Sequence, residues 1–245
     1  MNPHLLTAIL LLFSHGMIFA VSPLVVDDAD TVDAGRLQLS AGGQLSRTGS
    51  VSLYALPINP VIGLNRRGEL GATFGDQWRA GSAEADGITD LTIETKWRLW
   101  QTAGSGFKLA GRFDLKVPTA PEHSGFGTGN FDAGFVLIAT RCWGPTCLDW
   151  NIGYAAADLS RAIFGDDHWF IGQAVRHEVN KRWTIIGETF ATLPQGDEGG
   201  STNINFSAGA QLMLEENLLV SVLVGSAAGS DSPDLTSYLG FTFVY

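Results

Sequence analysis

Alternation of apolar and polar residues, over stretches of about ten residues, is the feature that most constrains the fold of this chain. In the sequence FKLAGRFDLK at positions 107–116, every second residue is apolar or glycine, and the residues between them are charged or alanine. Because successive side chains of a β-strand point to opposite faces, this pattern predicts a strand with one apolar and one polar face. About ten residues in a tilted strand are enough to cross a membrane.

Twelve segments of this kind follow one another along the chain, at positions 36–46, 50–64, 68–78, 88–100, 107–117, 130–141, 148–157, 168–179, 183–193, 203–214, 218–227 and 235–245. The second is the weakest, because Pro57 and Pro60 each lack a backbone donor. Every second connection is a short turn, whereas the others are mostly longer and polar, such as 77–87 and 118–129. Short turns at one end and longer loops at the other are typical of bacterial outer-membrane barrels, and a soluble β-sandwich gives no reason for them. We therefore predict an all-β chain that forms an antiparallel up-and-down transmembrane β-barrel of about 12 strands.

The composition excludes several other classes of protein. Charged residues make up 16% of the 245 residues, and the formal net charge is −10. A general nucleic-acid binder needs clustered Lys and Arg, so no nucleic-acid partner is expected. A hydrophobic content of 45% argues against disorder. No run of about 20 apolar residues, which a transmembrane helix would need, follows position 22.

Two segments precede the predicted barrel domain, which comprises residues 36–245. Residues 1–22 predict a secretory signal peptide, because Leu5–Phe13 is nearly all apolar and small residues precede a cleavage point after Ala20 or Ser22. A buried N-terminal helix is the alternative, since Met1–His4 contains no Lys or Arg. Residues 23–35 form an acidic segment, which we predict enters or caps the basic lumen from the periplasmic side. The carboxylates of this segment are those of Asp27, Asp28, Asp30 and Asp33.

Two further features fit an exported barrel. Cys142 and Cys147 flank a Gly-Pro turn, and an exported chain meets an oxidising compartment, so we predict a local disulfide. A redox-active pair is the alternative, although the spacing is not Cys-x-x-Cys. The last segment ends in an aromatic residue and resembles the signal by which the barrel assembly machinery recognises outer-membrane barrels; an edge strand of a soluble β protein is the alternative. Its shared face carries Leu239, Phe241, Phe243 and Tyr245.

Charges are distributed unevenly over this topology. The longer loops carry eleven acids and three bases, whereas the lumen-facing positions carry seven bases and eight acids. Such a lumen is either a solvated channel or is closed by ion pairs, because twelve strands lie between filled eight-stranded barrels and open sixteen-stranded ones. Its basic residues are the candidate contacts for an anionic or carboxylated solute, and structural pairing with Glu94, Asp114 and Glu188 is the alternative. The candidate lumen and solute-contacting residues are Glu94, Lys96, Arg98, Lys108, Arg112, Asp114, Lys116, Arg176 and Glu188.

Several stretches resemble an outer-membrane family named for the MetA pathway of phenol degradation, whose members are often called transporters. They are Pro23–Asp28, Thr89–Arg98, and Leu115–Thr119 followed by Gly125–Asp132. Ala120 stands where the family usually has glycine. The resemblance covers nearly the whole mature chain and implies a porin-like barrel linked to the uptake of aromatic or other hydrophobic compounds.

We therefore expect an outer-membrane channel for the passive passage of small, aromatic or hydrophobic solutes, in contact with membrane lipid and lipopolysaccharide. A closed structural or adhesion barrel without transport is the main alternative. A lipid-modifying enzyme is the weaker alternative, because His123 beside Ser124 is its best candidate pair and no Gly-x-Ser-x-Gly or His-Glu-x-x-His motif is present. We expect no catalytic site, no metal and no cofactor.

Overall fold

The computed structural model describes residues 24–81, 85–102, 104, 106–121, 126–127, 129–156, 159, 167–195, 202–229 and 232–245. The predicted signal peptide and the His123–Ser124 pair lie outside these residues. Among the described residues, no helix is long and apolar enough to cross a membrane.

The described chain forms strands connected in an up-and-down order. They are β1 (Leu37–Thr48), β2 (Val51–Asn65), β3 (Gly68–Ala80), β4 (Ala85–Ile88), β5 (Leu91–Gln101), β6 (Phe107–Val117), β7 (Asp132–Trp143), β8 (Thr146–Ala156), β9 (His168–Glu178), β10 (Trp183–Pro194), β11 (Asn203–Glu215), β12 (Leu218–Ala228) and β13 (Leu235–Val244). β4 and β5 pair with successive parts of β3, so together they occupy one strand position in the barrel wall. The wall therefore has twelve strands, as predicted.

The sheet closes on itself, because its first and last strands pair. β1 and β13 run antiparallel, with a register from Gln38 opposite Val244 to Arg47 opposite Leu235. The other wall strands pair antiparallel with their sequence neighbours. A closed barrel leaves no unpaired strand edge, which is the condition for crossing hydrocarbon with β-structure. The predicted transmembrane barrel architecture is confirmed.

One predicted loop is shorter than expected. The expected loop at 77–87 is largely paired, because β3 continues to Ala80 and Asp76–Arg79 pair with β4. The first connection is a two-residue turn in which Gly49 has a φ of 56°. Pairing between strands thus extends beyond the membrane-crossing segments into what the sequence presents as polar loop.

The predicted disulfide between Cys142 and Cys147 is confirmed. The two cysteines lie directly opposite each other on β7 and β8, and a Gly144–Pro145 turn joins these strands. The cysteines are therefore part of the ladder itself rather than of a loop. Gly144 has a φ of 54°, which suits the tight turn.

β2 continues through both of its prolines, but its ladder with β1 has a gap beside one of them. The β1–β2 register runs from Leu37 to Ala41 and resumes at Gln44, so the positions facing Leu56 and Pro57 are unpaired. Pro57 cannot donate a backbone hydrogen bond, which accounts for the gap. The strand that the sequence marks as weakest is thus present with a local interruption.

Apolar and polar side chains occupy the opposite positions to those in a soluble protein. Large apolar residues such as Phe113, Phe135 and Val222 are exposed on the outer surface. The most deeply buried residues include polar and charged ones: Gln38, Glu69, Lys96, Thr140, Asp149 and Asn151. An apolar outside and a polar inside are the pattern of a membrane barrel.

Aromatic residues lie on the outer surface near both ends of the barrel. All seven tryptophans are exposed. Tyr54 stacks on Trp78 and Tyr154 contacts Trp169, with ring centroids 5.2 and 5.1 Å apart, toward the longer-loop end. Trp100, Trp143 and Trp183 lie at the short-turn ends of β5, β7 and β10. Aromatic girdles at this position are typical of membrane–water interfaces.

A charge on the outer surface at mid-height should destabilise the barrel. Phe113 is exposed in the middle of β6, so we expect Phe113→Arg to lower the free energy of unfolding in lipid by about 2–4 kcal/mol. Phe113→Leu keeps an apolar side chain and serves as the matched control. Denaturant unfolding of both variants in liposomes measures the difference, and equal stability of the two variants would contradict the assignment of this face to lipid.

Candidate functional site

The segment Leu24–Arg36, which precedes β1, lies inside the barrel. It enters at the short-turn end, where Gly35 donates a hydrogen bond to the carbonyl of Gly63 at 2.8 Å. A Cβ atom at Gly63 would lie 2.0 Å from the carbonyl oxygen of Asp33, so this close approach requires glycine. Further along the segment, Val26 is 1% exposed and Ala29 is completely buried.

Side chains of the barrel wall satisfy the backbone of this segment. A non-regular chain inside a barrel has no strand neighbour, so its N–H groups need other partners. Four of them donate hydrogen bonds to wall side chains: Val26 to Glu188 Oε2 (3.0 Å), Asp27 to Asn151 Oδ1 (2.9 Å), Ala29 to Thr140 Oγ1 (2.9 Å) and Val32 to Glu69 Oε2 (2.5 Å). The amide of Asn151 also donates to the carbonyl of Asp27 at 2.8 Å. The wall thus holds the segment in one defined path.

Three carboxylates of the segment pair with bases on β5, β6 and β9. The pairs are Asp27 with Lys96 (3.2 Å) and Arg112 (3.1 Å), Asp28 with Arg176 (3.1 Å), and Asp30 with Lys108 (2.6 Å) and Arg98 (3.4 Å). Lys96 also contacts Glu69 at 3.3 Å and is 2% exposed. The pairs of Lys96 are the most deeply buried, and such pairs are expensive to break because one partner is left without compensation.

Burial and charge act in opposite directions on two of these carboxyl groups. Burial alone would raise the pKa of Asp27, but the positive charges of Lys96 and Arg112 outweigh it and hold this pKa below its usual range. Burial raises the pKa of Asp28, and the charges of Arg176 and Lys96 offset that effect only in part. Asp27 therefore stabilises the fold above the pKa that it has in the unfolded chain, and its contribution is lost as the pH falls through its lowered folded pKa.

The remaining predicted lumen residues have partners on the wall. Lys116 pairs with Asp132 and, at 3.7 Å, with Asp90. Of the three wall carboxylates expected as partners for the bases, Asp114 pairs with Arg112 at 3.0 Å. The other two accept hydrogen bonds from neutral groups: Glu94 from Asn59 (2.6 Å), and Glu188 from Val26 and from Ser207 (2.9 Å).

The sequence-based site residues omit two polar wall residues that hold the segment, Thr140 and Asn151, and also Asp149, which was counted only among the acids of the lumen. Thr140 accepts from Ala29 and donates to Asp149 at 2.6 Å, and Asp149 in turn pairs with Arg176 at 2.8 Å. Asn151 makes two hydrogen bonds with Asp27. All three residues belong to the inward face of their strands, so the period of two contains the signal. Thr140 and Asn151 carry no charge, so sorting the charged residues by strand face does not detect them.

The inner end of the segment rests on an apolar cluster. Leu24 and Val26 pack with Ala174, Ile186 and Leu223. Three partly buried rings surround this cluster: Phe170, Phe190 and Tyr238. The segment is therefore anchored by charge near the short turns and by apolar contact further in.

A cavity of about 520 Å³ remains between the segment and the opposite wall. Its lining extends from Ser46 and Thr236, toward the longer loops, to Glu69 and Thr242, toward the short turns. The neutral polar lining includes Ser40, Gln44, Asn59, Thr73, Ser207 and Ser237, and the apolar lining includes Leu24, Phe190, Leu223 and Tyr238. The segment thus fills one side of the lumen and leaves a space along the other.

The last strand displays its predicted face to the outside. Leu239 and Phe241 are exposed, and the rings of Phe243 and Tyr245 stack with centroids 6.5 Å apart. Leu37 and Tyr245 exchange backbone hydrogen bonds at the closing seam. Within the described residues, no group of His, Cys, Asp or Glu side chains is arranged to hold a metal ion.

Comparison with solved structures shows the same fold in other proteins. The COG4313 outer membrane channel from Pseudomonas putida F1 superposes with a TM-score of 0.73 at 14% identity, over 89% of this chain and 98% of that one. The KdgM porin in complex with disordered oligogalacturonate gives 0.57 at 9% identity, over 85% and 98%. LpxR from Salmonella typhimurium gives 0.53 at 8% identity, over 85% and 99%. No protein-family model and no curated sequence matches the chain, so the association with phenol degradation stays an expectation.

Lys96 is the residue whose loss should disturb the filled lumen most. Lys96→Met keeps the length of the side chain but leaves Asp27 and Glu69 facing each other without the ammonium group. We expect a loss of about 3 kcal/mol in the free energy of unfolding in lipid. Lys181→Met in the exposed turn before β10 is the control and should change stability little. Equal losses in the two variants would contradict a buried ion pair at Lys96.

Proposed function

We propose that this protein is an outer-membrane channel through which small solutes pass passively, beside an N-terminal segment that partly fills the lumen. The observation that carries the proposal is the cavity of about 520 Å³ that follows the segment through much of the barrel. A wall of hydroxyl and amide groups on one side of this cavity suits solvated passage. The predicted signal peptide and the apolar outer surface support a location in the outer membrane, in contact with lipid and lipopolysaccharide.

The cavity also favours a class of solute. Phe190, Leu223 and Tyr238 give it an apolar side that faces hydroxyl groups such as Ser40 and Ser237. Its volume lies within the range of small-molecule sites, which is about 300–1,000 Å³. This lining supports the passage of small aromatic or otherwise hydrophobic solutes that carry a hydrogen-bonding group. The sequence resemblance described above points in the same direction.

The solved structures add support at the level of architecture. Two of the similar proteins are described as a channel and a porin, and each is covered over 98% of its length. At 14% identity or less they share a fold with this chain, so the solute has to be argued from the lumen itself. The exposed face of the last strand supports recognition by the barrel assembly machinery.

A closed barrel without transport is the second candidate, and the filled side of the lumen favours it. The five ion pairs between the segment and the wall are the kind of interaction that would close a barrel permanently. The two candidates differ in one measurable property, which is whether ions and small solutes cross the purified protein in a bilayer.

Weakening the hold on the segment should enlarge the passage. We expect Asp27→Asn, Asp28→Asn and Asp30→Asn combined to raise single-channel conductance in planar bilayers, because the ion pairs to β5, β6 and β9 are lost. Asp33→Asn changes an exposed carboxylate of the same segment and should leave the conductance as in the unmodified protein. Liposome swelling with small neutral solutes should follow the same order.

The outcome that would overturn the channel is equally specific. If neither the unmodified protein nor the triple variant carries current or solute, while both remain folded by their heat-dependent gel mobility, the closed barrel is the correct account. If the triple variant and the unmodified protein conduct equally, the channel stands but the segment does not restrict it.

A further inference from the structure

We infer that the N-terminal segment also sets the charge selectivity of the passage, which favours cations over anions while the segment is in place. This inference rests on the proposed channel function and adds the sign of the ionic charge that the channel prefers. It reverses the expectation from sequence, in which the basic lumen residues were the candidate contacts for anionic solutes.

Most of the basic side chains in the lumen are paired with the segment. Lys96, Arg98, Lys108, Arg112 and Arg176 all contact carboxylates of the segment, at the distances given above. Several of them have additional carboxylate partners on the wall, such as Asp149 for Arg176. Bases held in this way have their charge compensated and their donors engaged. An anion in the passage therefore meets few available positive groups.

Acidic side chains outnumber basic ones along the cavity. Its lining contains four acids and two bases, namely Asp27, Glu69, Glu94, Glu188, Lys96 and Arg112. Glu94 and Glu188 accept their hydrogen bonds from Asn59, Val26 and Ser207, which carry no charge. The carboxylates thus outnumber the bases along the passage, and two of them are oriented by neutral donors.

These charges attract counter-ions into the narrow space of the lumen. Fixed charges in a passage with apolar walls raise the local concentration of counter-ions, because field lines are focused there. Rings of Asp or Glu are a common means of selecting cations in channels, and Arg or Lys of selecting anions. The longer loops are acidic as well, so the outer mouth adds to the same preference.

The opposite half of the lumen cannot reverse this preference. The cavity positions on β1, β11 and β13 that face the segment carry hydroxyl and amide groups, such as Ser40, Gln44, Ser207 and Ser237. These groups bind solutes of either charge through hydrogen bonds. The sign of the selectivity is therefore decided on the side of the segment.

Removing the negative charge of the segment should weaken the preference for cations, because it frees bases that the segment now neutralises. The combined Asp27→Asn, Asp28→Asn and Asp30→Asn substitutions delete three negative charges and leave all five paired bases in the lumen. The direction of the change is the same whether the segment stays in place or leaves, because three negative charges are lost and the charges of the wall stay as they are in either case. The segment would then contribute to specificity, in addition to restricting the passage.

The test is the reversal potential of the full-length protein in a planar bilayer under a KCl gradient. We expect a potential of the sign for K⁺ preference in the unmodified protein and a smaller potential, nearer to zero, in the triple Asp→Asn variant. Glu94→Gln combined with Glu188→Gln should move the potential toward zero. Glu216→Gln, in the exposed turn before β12, is the control and should leave the potential unchanged.

Each outcome distinguishes this inference from the proposed function. Currents in all variants with one unchanged reversal potential would overturn the inference and leave the channel intact. A Cl⁻ preference in the unmodified protein would do the same. An absence of current and of ion flux in every variant would reject the channel, and the inference with it.

Discussion

The closing of the backbone ladder is the constraint on which the rest of this structure depends. Inside a bilayer no water can pair with an exposed N–H or C=O group, so β-structure must form a closed barrel. Pairing between β1 and β13 meets this condition. Closure also fixes which side chains face lipid and which face the lumen, because the side-chain period is two. The apolar outer surface, the aromatic residues near both ends and the collection of charges inside all follow from it.

The lumen charges then determine what the interior can hold. A barrel of twelve strands is too wide to be filled completely by its own side chains and too narrow to be a wide pore. Here Asp27, Asp28 and Asp30 bring a length of chain against the bases of β5, β6 and β9, while Leu24 and Val26 rest on an apolar cluster. Ion pairs hold the segment near the short turns, and apolar contacts hold its inner end. The other half of the lumen, with its hydroxyl and amide groups, borders the remaining cavity.

Much of the fold could be predicted from the sequence, because the alternation that marks a strand is the same alternation that divides lipid from lumen. The twelve wall strands were predicted in this way. The disulfide between Cys142 and Cys147 was predicted from the Gly-Pro turn between them. The extended hairpin of β3 and β4 could not, since polar residues beyond the membrane give no signal that separates loop from strand. The candidate lumen residues were identified from their inward parity, and Asp114 was named among the partners of the bases, but the individual pairs between segment and wall were not predicted. Pairing of Arg176 with Asp28 joins residues far apart in the chain, and only the three-dimensional path of the segment brings them together.

The position of the N-terminal segment inside the lumen can be tested by the accessibility of single thiols. In a background with Cys142→Ser and Cys147→Ser, Ala29→Cys would place a thiol at a fully buried position, and Ala34→Cys at an exposed one of the same segment. We expect a charged maleimide to label the folded Ala34→Cys protein rapidly and the folded Ala29→Cys protein slowly, with equal labelling after unfolding. Equally rapid labelling of both folded proteins would contradict this position of the segment.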